Sequence, residues 1–151
     1  MRKRLVDCHV IHEREDGKRR CLLLKRAPGK IYSGCWRMVA GKAKKGELRW
    51  ETALRELREE TSLTPTSFFS VPVANRFYEW ETDTLHEVPV FLALVKEKTF
   101  VLDDEHTEGE WVGLEEGMSR LDWPGQRAGL LAAWDLLDSP ILRESLEIAL
   151  S

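Results

Sequence analysis

Along the chain the spacing of apolar positions changes character several times, and each change predicts an element. "LVDCHVIHERED" alternates apolar and polar residues, "GKRR" supplies a turn, and "CLLLKRA" reads as a strand partly buried on both faces, so the chain opens on a hairpin. "CWRMVAG" predicts a short third strand ending in glycine, and "KAKKGE" is too polar to be more than a loop. From Leu48 to Thr61 the period becomes helical, with Trp50, Leu54, Leu57 and Thr61 on one stripe and Ala53 at its border, which predicts the core face. After "TSLTP", the stretches "FFSVPVANRFYEW" and "HEVPVFLALVKE" predict two strands joined by "ETDT", each with an internal proline that marks an edge or a bulge. The loop "KTFVLDDEHTEGE" leads to a short strand "WVGL", and apolar residues at helical spacing from Pro124 to Leu137 predict a closing helix, with "ILRESLEIAL" as a last turn or helix. The order β, β, β, α, β, β, β, α predicts an α+β fold with a mixed sheet between helices, and since no repeat or linker divides the chain, residues 1–151 are expected to form one domain.

The composition changes this picture little. A chain of 151 residues, 42% hydrophobic and 32% charged, can bury one core. Its formal charge of −3 gives no general reason to bind a nucleic-acid duplex or an anionic membrane, so any phosphate binding must be local. Cys8, Cys21 and Cys35 form no CxxC pair and are expected to be free thiols in a reducing compartment. No apolar run approaches the roughly 18 residues of a spanning helix, and the charged amino terminus does not read as a leader, so a cytoplasmic location is expected. His9, His12, His86 and His106 show no ligand spacing with each other or with the cysteines, so no zinc site is expected. "LLAAWDLL" reads as a buried helix, although the same apolar stretch leaves a homodimer open.

The chemistry concentrates in "GKAKKGELRWETALRELREETSL". Glu56, Glu59 and Glu60 stand at i, i+3 and i+4, so on a helix their side chains are neighbours, and Glu56 and Glu60 form a like-charge pair that costs a few tenths of a kcal/mol, roughly. On spacing alone the triplet is either a solvated charged face, softened by Arg55 four residues before Glu59, or a set of hard oxygen ligands converging on a divalent cation.

The whole stretch resembles the signature of the Nudix hydrolases, G-x5-E-x7-R-E-U-x-E-E-x-G-U with U aliphatic. Gly41, Glu47, Arg55, Glu56, Leu57, Glu59, Glu60 and Leu63 stand at the required spacing, and only Ser62 departs from it, where the family has glycine. Two weaker departures are Ala40 and Lys44, where many members have glycine and glutamate. The resemblance implies a Nudix-type α/β/α sandwich with a central mixed sheet. It also implies hydrolysis of a nucleoside diphosphate linked to another group. By the matched positions, Glu56, Glu59, Glu60 and the backbone carbonyl of Gly41 would ligate magnesium, with manganese as the alternative ion, while Glu47 and Arg55 would pair and orient Glu56. A further acid, as metal ligand or general base, is assigned to Glu105 in "DDEHTEGEW", ahead of Asp103, Asp104, Glu108 and Glu110. Arg26, at the end of the "LLLKR" strand, is a candidate phosphate clamp, and Trp36, Tyr78 and Trp123 are candidates to stack a base. Ser62 is expected just past the helix in a left-handed conformation.

The segment from "VAGKAKKGE" through "EHTEGEW" to "WPGQRAGL" is most similar to the dihydroneopterin-triphosphate or dATP pyrophosphohydrolase branch. That resemblance implies cleavage of a nucleoside or pterin triphosphate to the monophosphate and pyrophosphate. Tyr78 and "WVGLEEG" are also similar to the dinucleoside polyphosphate (Ap4A-type) hydrolases, the second reading. A non-catalytic nucleotide-binding Nudix module is the rival from another class.

Overall fold

The computed structural model describes residues 3–150. Two strands, β1 (Leu5–Glu13) and β2 (Arg19–Arg26), pair antiparallel about the turn at Gly17, as the alternation predicts. Cys21, Leu22, Leu23 and Leu24 are all buried, the signature of a strand covered on both faces. The predicted third strand is two: β3 (Trp36–Arg37) pairs with β2, and β4 (Val39–Lys42) crosses to pair with the first half of β1. Next come α1 (Arg49–Thr61), β5 (Ser67–Glu79), β6 (Thr84–Val95) and β7 (His106–Val112), then α2 (Leu114–Arg120), α3 (Pro124–Leu136) and α4 (Pro140–Ser145).

These strands build one mixed seven-stranded sheet ordered β3-β2-β1-β6-β5, with β4 added to β1 and β7 to β2. The β1–β6 pair is parallel and its neighbours are antiparallel. Alternate residues of the same strands fill two cores. Val6, Cys8, Val10, Leu22, Leu24, Phe68 and Phe91 face Ala53 and Leu57 of α1. Ile11, Cys21, Leu23, Phe69, Val71 and Leu92 face Leu130, Ala133 and Leu136 of α3. The layers are therefore α/β/α.

The prolines act as expected: the β5–β6 register shifts between Val71 and Ala74, around Pro72 on the outer strand, and Pro89 pairs with Ala74 where the shift ends. All three cysteines are free, Cys8 and Cys21 buried and Cys35 half-buried. Ser62 follows α1 at φ 65°, and its N–H donates to the Arg58 carbonyl at 2.9 Å. No helix among the described residues is long and apolar enough to cross a membrane.

Three expectations need correction. β7 begins at His106, not at Trp111, because its ladder to β2 runs from Cys21↔Val112 to Arg26↔His106 while Thr107, Glu108 and Glu110 remain exposed and give the strand a polar composition. The helix α2 is not among the predicted elements, which end one strand at Leu114 and resume at Pro124; seven residues are too few to display a helical period, and the helix is held by Gly117 packing on Cys21 and Leu130. The core face of α1 is turned by about 60° from the predicted stripe. Trp50 is 36% exposed, whereas Ala53, Leu57, Thr61 and Glu60 are buried.

Candidate active site

The loop after β4 is organised by Glu47. Its carboxylate accepts from the Lys44 N–H at 3.0 Å, the Thr52 hydroxyl at 2.7 Å, and Arg55 through Nε at 2.8 Å and Nη2 at 3.0 Å. The Arg55 guanidinium, followed by the Lys44 amide, holds the Glu47 carboxyl far below the usual carboxylate range. Arg55 also donates to Glu56 at 2.6 Å, to Glu59 at 3.1 Å and to the Lys42 carbonyl at 3.1 Å. One guanidinium thus binds loop, strand and helix together. Substituting Arg55 by alanine is expected to lower turnover about 10–100-fold by releasing Glu56, while magnesium affinity falls less than about tenfold because Arg55 is no ligand. Steady-state kinetics beside a magnesium titration checks the split.

Gly41 shows why the loop approach demands glycine. A Cβ at this position would stand 2.4 Å from both Cγ and Cδ of Glu56, closer than any real contact. Gly41→Ala is therefore expected to displace the Glu56 carboxylate by about 1 Å and lower turnover about 10²-fold, with only a small change in melting temperature.

The three clustered acids are not equivalent. Glu59 is exposed and Glu56 half-buried, but Glu60 points inward and is 1% exposed. Neither Glu60 oxygen has a hydrogen-bond partner. Burial first, and then the facing Glu56 carboxyl, push its pKa up to about 10. The Arg37 guanidinium nearby offsets only part of that rise.

Other strands bring further groups to Glu60. His106, the first residue of β7, sets Nε2 at 3.8 Å from Glu60 Oε1 and Nδ1 at 2.9 Å from Asp103 Oδ1. Arg26 ends β2, is 8% exposed, and donates from Nε to the Ile31 carbonyl at 3.3 Å. Arg37 on β3 lies within the fields of Glu60, Arg26, Asp7 and Glu105, with its Nε unpartnered and burial lowering its basicity. Glu105 is half-buried, and its carbonyl accepts from the Ala27 N–H at 2.9 Å, tying the acidic loop to the end of β2. Glu108 and Glu110 point elsewhere, to Lys25 at 3.2 Å and Arg120 at 2.7 Å.

The aromatic candidates separate. Trp36 is packed against the α3-side core with Arg120 over its ring at 4.9 Å and Lys25 at 6.0 Å, so cations already occupy the space a base would need. Tyr78, 58% exposed, lies near the end of the β5–β6 hairpin and donates its hydroxyl to Asp83. Trp123 is exposed and meets Tyr32 edge to face at 5.4 Å, on the loop that also carries the Ile31 carbonyl bound by Arg26. Sequence reasoning passed over Tyr32, Arg37 and His106 as candidates for this site, and offered Asp103 only behind Glu105 in the acidic loop. Only the adjacency of "DDEH" to the favoured acid offered a signal for the last two.

Among the described residues no three acidic, histidine or cysteine side chains converge on one point, and Arg55 holds Glu56 and Glu59 in ion pairs. The donors nevertheless suit a divalent cation. They are hard oxygens, one carboxylate is buried with both oxygens unsatisfied, and Glu56 occupies a cradle open only because residue 41 has no Cβ.

Comparison with known proteins agrees with this geometry. A family model described as the NUDIX domain matches residues 2–133. Nudix hydrolase 6 of Arabidopsis thaliana is 34% identical over 91 residues, which are 56% of this chain and only 30% of that protein's length. A Listeria monocytogenes chain described as a NUDIX hydrolase superposes with a TM-score of 0.76 at 20% identity, covering 96% of this chain and 98% of that one. A Caenorhabditis elegans Ap4A hydrolase gives 0.71 at 21% identity over 89% and 96% of the two chains. The sandwich is theirs, and the matched domain takes in every signature residue from Gly41 to Leu63: this chain belongs to the NUDIX family.

Proposed function

We propose that the chain is a magnesium-dependent pyrophosphohydrolase that cleaves a nucleoside or pterin triphosphate to the monophosphate and pyrophosphate. The observation that carries this reading is Glu60, a buried carboxylate with two unsatisfied oxygens in the field of the half-buried Arg37 guanidinium. Glu56, Glu59, Glu60 and the Gly41 carbonyl are the residues to hold the ion, magnesium by preference and manganese as the alternative. When bound, the ion neutralises the pyrophosphate and lowers the pKa of the attacking water. Arg26 and Arg37 present guanidinium donors to phosphate oxygens, which they can bind in pairs. Glu105 stands beside Arg37 as the base that takes the proton of the attacking water. The Tyr32–Trp123 pair offers exposed ring surface next to Arg26 for the base or pterin.

A dinucleoside polyphosphate is the second reading. It is favoured by the exposed aromatic run of Phe77, Tyr78 and Trp80 on the β5–β6 hairpin, which would supply a stacking surface for a second base. A magnesium-dependent assay over nucleoside triphosphates, dihydroneopterin triphosphate and dinucleoside polyphosphates separates the readings. Pyrophosphate release from a triphosphate supports the first, and cleavage of a dinucleoside substrate into two nucleotides supports the second. Binding of nucleotide with no turnover of any compound would leave a non-catalytic module and overturn both.

A further inference from the structure

The ring of His106 is wholly buried, and its environment assigns its two nitrogens different roles. Nδ1 lies 2.9 Å from Asp103 Oδ1, and since an ionised carboxylate only accepts, Nδ1 carries the hydrogen. In the neutral ring Nε2 is then a bare acceptor. It has no partner, and it faces Glu60 Oε1, which has none either, across 3.8 Å.

A bare ring nitrogen and a carboxyl oxygen, both buried and both without a partner, are costly to hold face to face unless something bridges them. The length of the gap decides what that is. A directly shared proton needs about 2.7–3.2 Å between the heavy atoms. A bridging water at about 2.8 Å from each, with its near-tetrahedral angle, needs about 4.5 Å. A divalent cation about 2.1 Å from each atom spans about 3.0–4.2 Å as its bond angle opens from roughly 90° to 180°, and the observed 3.8 Å falls inside that interval. The Asp103–His106 pair also has the form in which ligating histidines are held, with a carboxylate on the far nitrogen fixing tautomer and ring orientation.

We propose that His106 Nε2 is a nitrogen ligand of the divalent cation held by Glu60, oriented by Asp103, and that it raises the site's affinity for manganese, the alternative ion of the reading above, relative to magnesium. The proposal rests on the metal-site reading above and deepens it. Magnesium prefers an all-oxygen shell, whereas an imidazole in the shell favours first-row transition ions.

The test uses the whole chain with manganese chloride as the only added ligand. Pulsed electron paramagnetic resonance of the bound Mn²⁺ is expected to show the hyperfine coupling of a directly bonded nitrogen. Labelling histidine with ¹⁵N is expected to change that coupling in the wild-type protein, so the result does not depend on a variant folding. His106→Gln should abolish the coupling and lower Mn²⁺ affinity about 10–100-fold while Mg²⁺ affinity changes by less than about threefold, shrinking the preference between the ions. Asp103→Asn should keep the coupling and weaken Mn²⁺ binding about tenfold. If Glu60→Gln abolishes Mn²⁺ binding but the wild-type protein shows no nitrogen coupling, the metal site stands and the ligand role of His106 is overturned. If Glu60→Gln binds Mn²⁺ as the wild type does, the underlying metal-site reading falls, and the proposal with it.

Discussion

Replacing Glu60 by glutamine is expected to lower turnover about 10²–10³-fold at saturating magnesium, the largest loss among the three clustered acids. The reason is burial: the Glu60 carboxylate is 1% exposed and has no other partner, so no water or neighbouring oxygen replaces it. Glu59→Gln should cost less, because Glu59 is exposed to solvent. The same substitution should change the response of the metal-free protein to pH. The folded Glu60 carboxyl is raised from 4.5 to about 10, so folding takes up a proton there, and the stability is full below the unfolded value and drains as pH rises toward the folded one. Asp7, raised from 3.8 to about 6 by burial, acts the same way at lower pH and has finished by neutrality. Between about pH 7 and 9 the melting temperature of the metal-free wild type should therefore fall more steeply than that of Glu60→Gln, which keeps only the shallower fall from the buried Cys8 and Cys21 thiols, and saturating magnesium should bring the wild-type slope to that of the variant by replacing the proton. Equal slopes in the two metal-free proteins would show that Glu60 is not the group responsible.

Glu105→Gln is expected to lose at least about a hundredfold in turnover, within the 10²–10⁴-fold range that a positioned base contributes. Glu108→Gln and Glu110→Gln should lose little, because those carboxylates pair with Lys25 and Arg120 on the surface of the β2–β7 ladder. The pH–rate profile separates roles: loss of a base removes the acidic limb, whereas loss of a metal ligand raises the magnesium concentration needed for half-maximal rate. If Glu105→Gln turned over normally, Glu56 would be the next candidate for the base.

The register of strands explains why parts of the site were legible in the chain and others were not. Glu47, Arg55, Glu56, Glu59 and Glu60 lie within one loop and one helix, so their neighbourhood follows from helical spacing. His106, Asp103 and Arg37 come from the β7 ladder, the loop before it, and β3, and they reach Glu60, with Arg26 at the end of β2 beside them, only because those strands pair as they do. The pairing Arg26↔His106 places the end of β2 beside the start of β7, although the two residues stand far apart in the chain. The surroundings of Trp36 were equally illegible in the chain. Its aromatic character suggested stacking, yet Arg120, delivered by the unforeseen helix α2, lies over its ring.

Local patterning by itself determined the alternating strands, the helix of the clustered acids, the bulge at Pro72 and the left-handed turn at Ser62, because each depends on residues within a few positions of one another. Only the tertiary structure decided which side of α1 is buried. Packing against β1 and β4 rotates the helix so that Glu60 enters the core side while Trp50 is left half outside. A helical wheel weighs apolar side chains alone, and it cannot register the close approach of Gly41 that draws α1 against the sheet on its carboxylate side. In the packed fold one of three similar acids, Glu60, becomes a buried carboxyl with no hydrogen-bond partner, and that depends on long-range contact, not on local order.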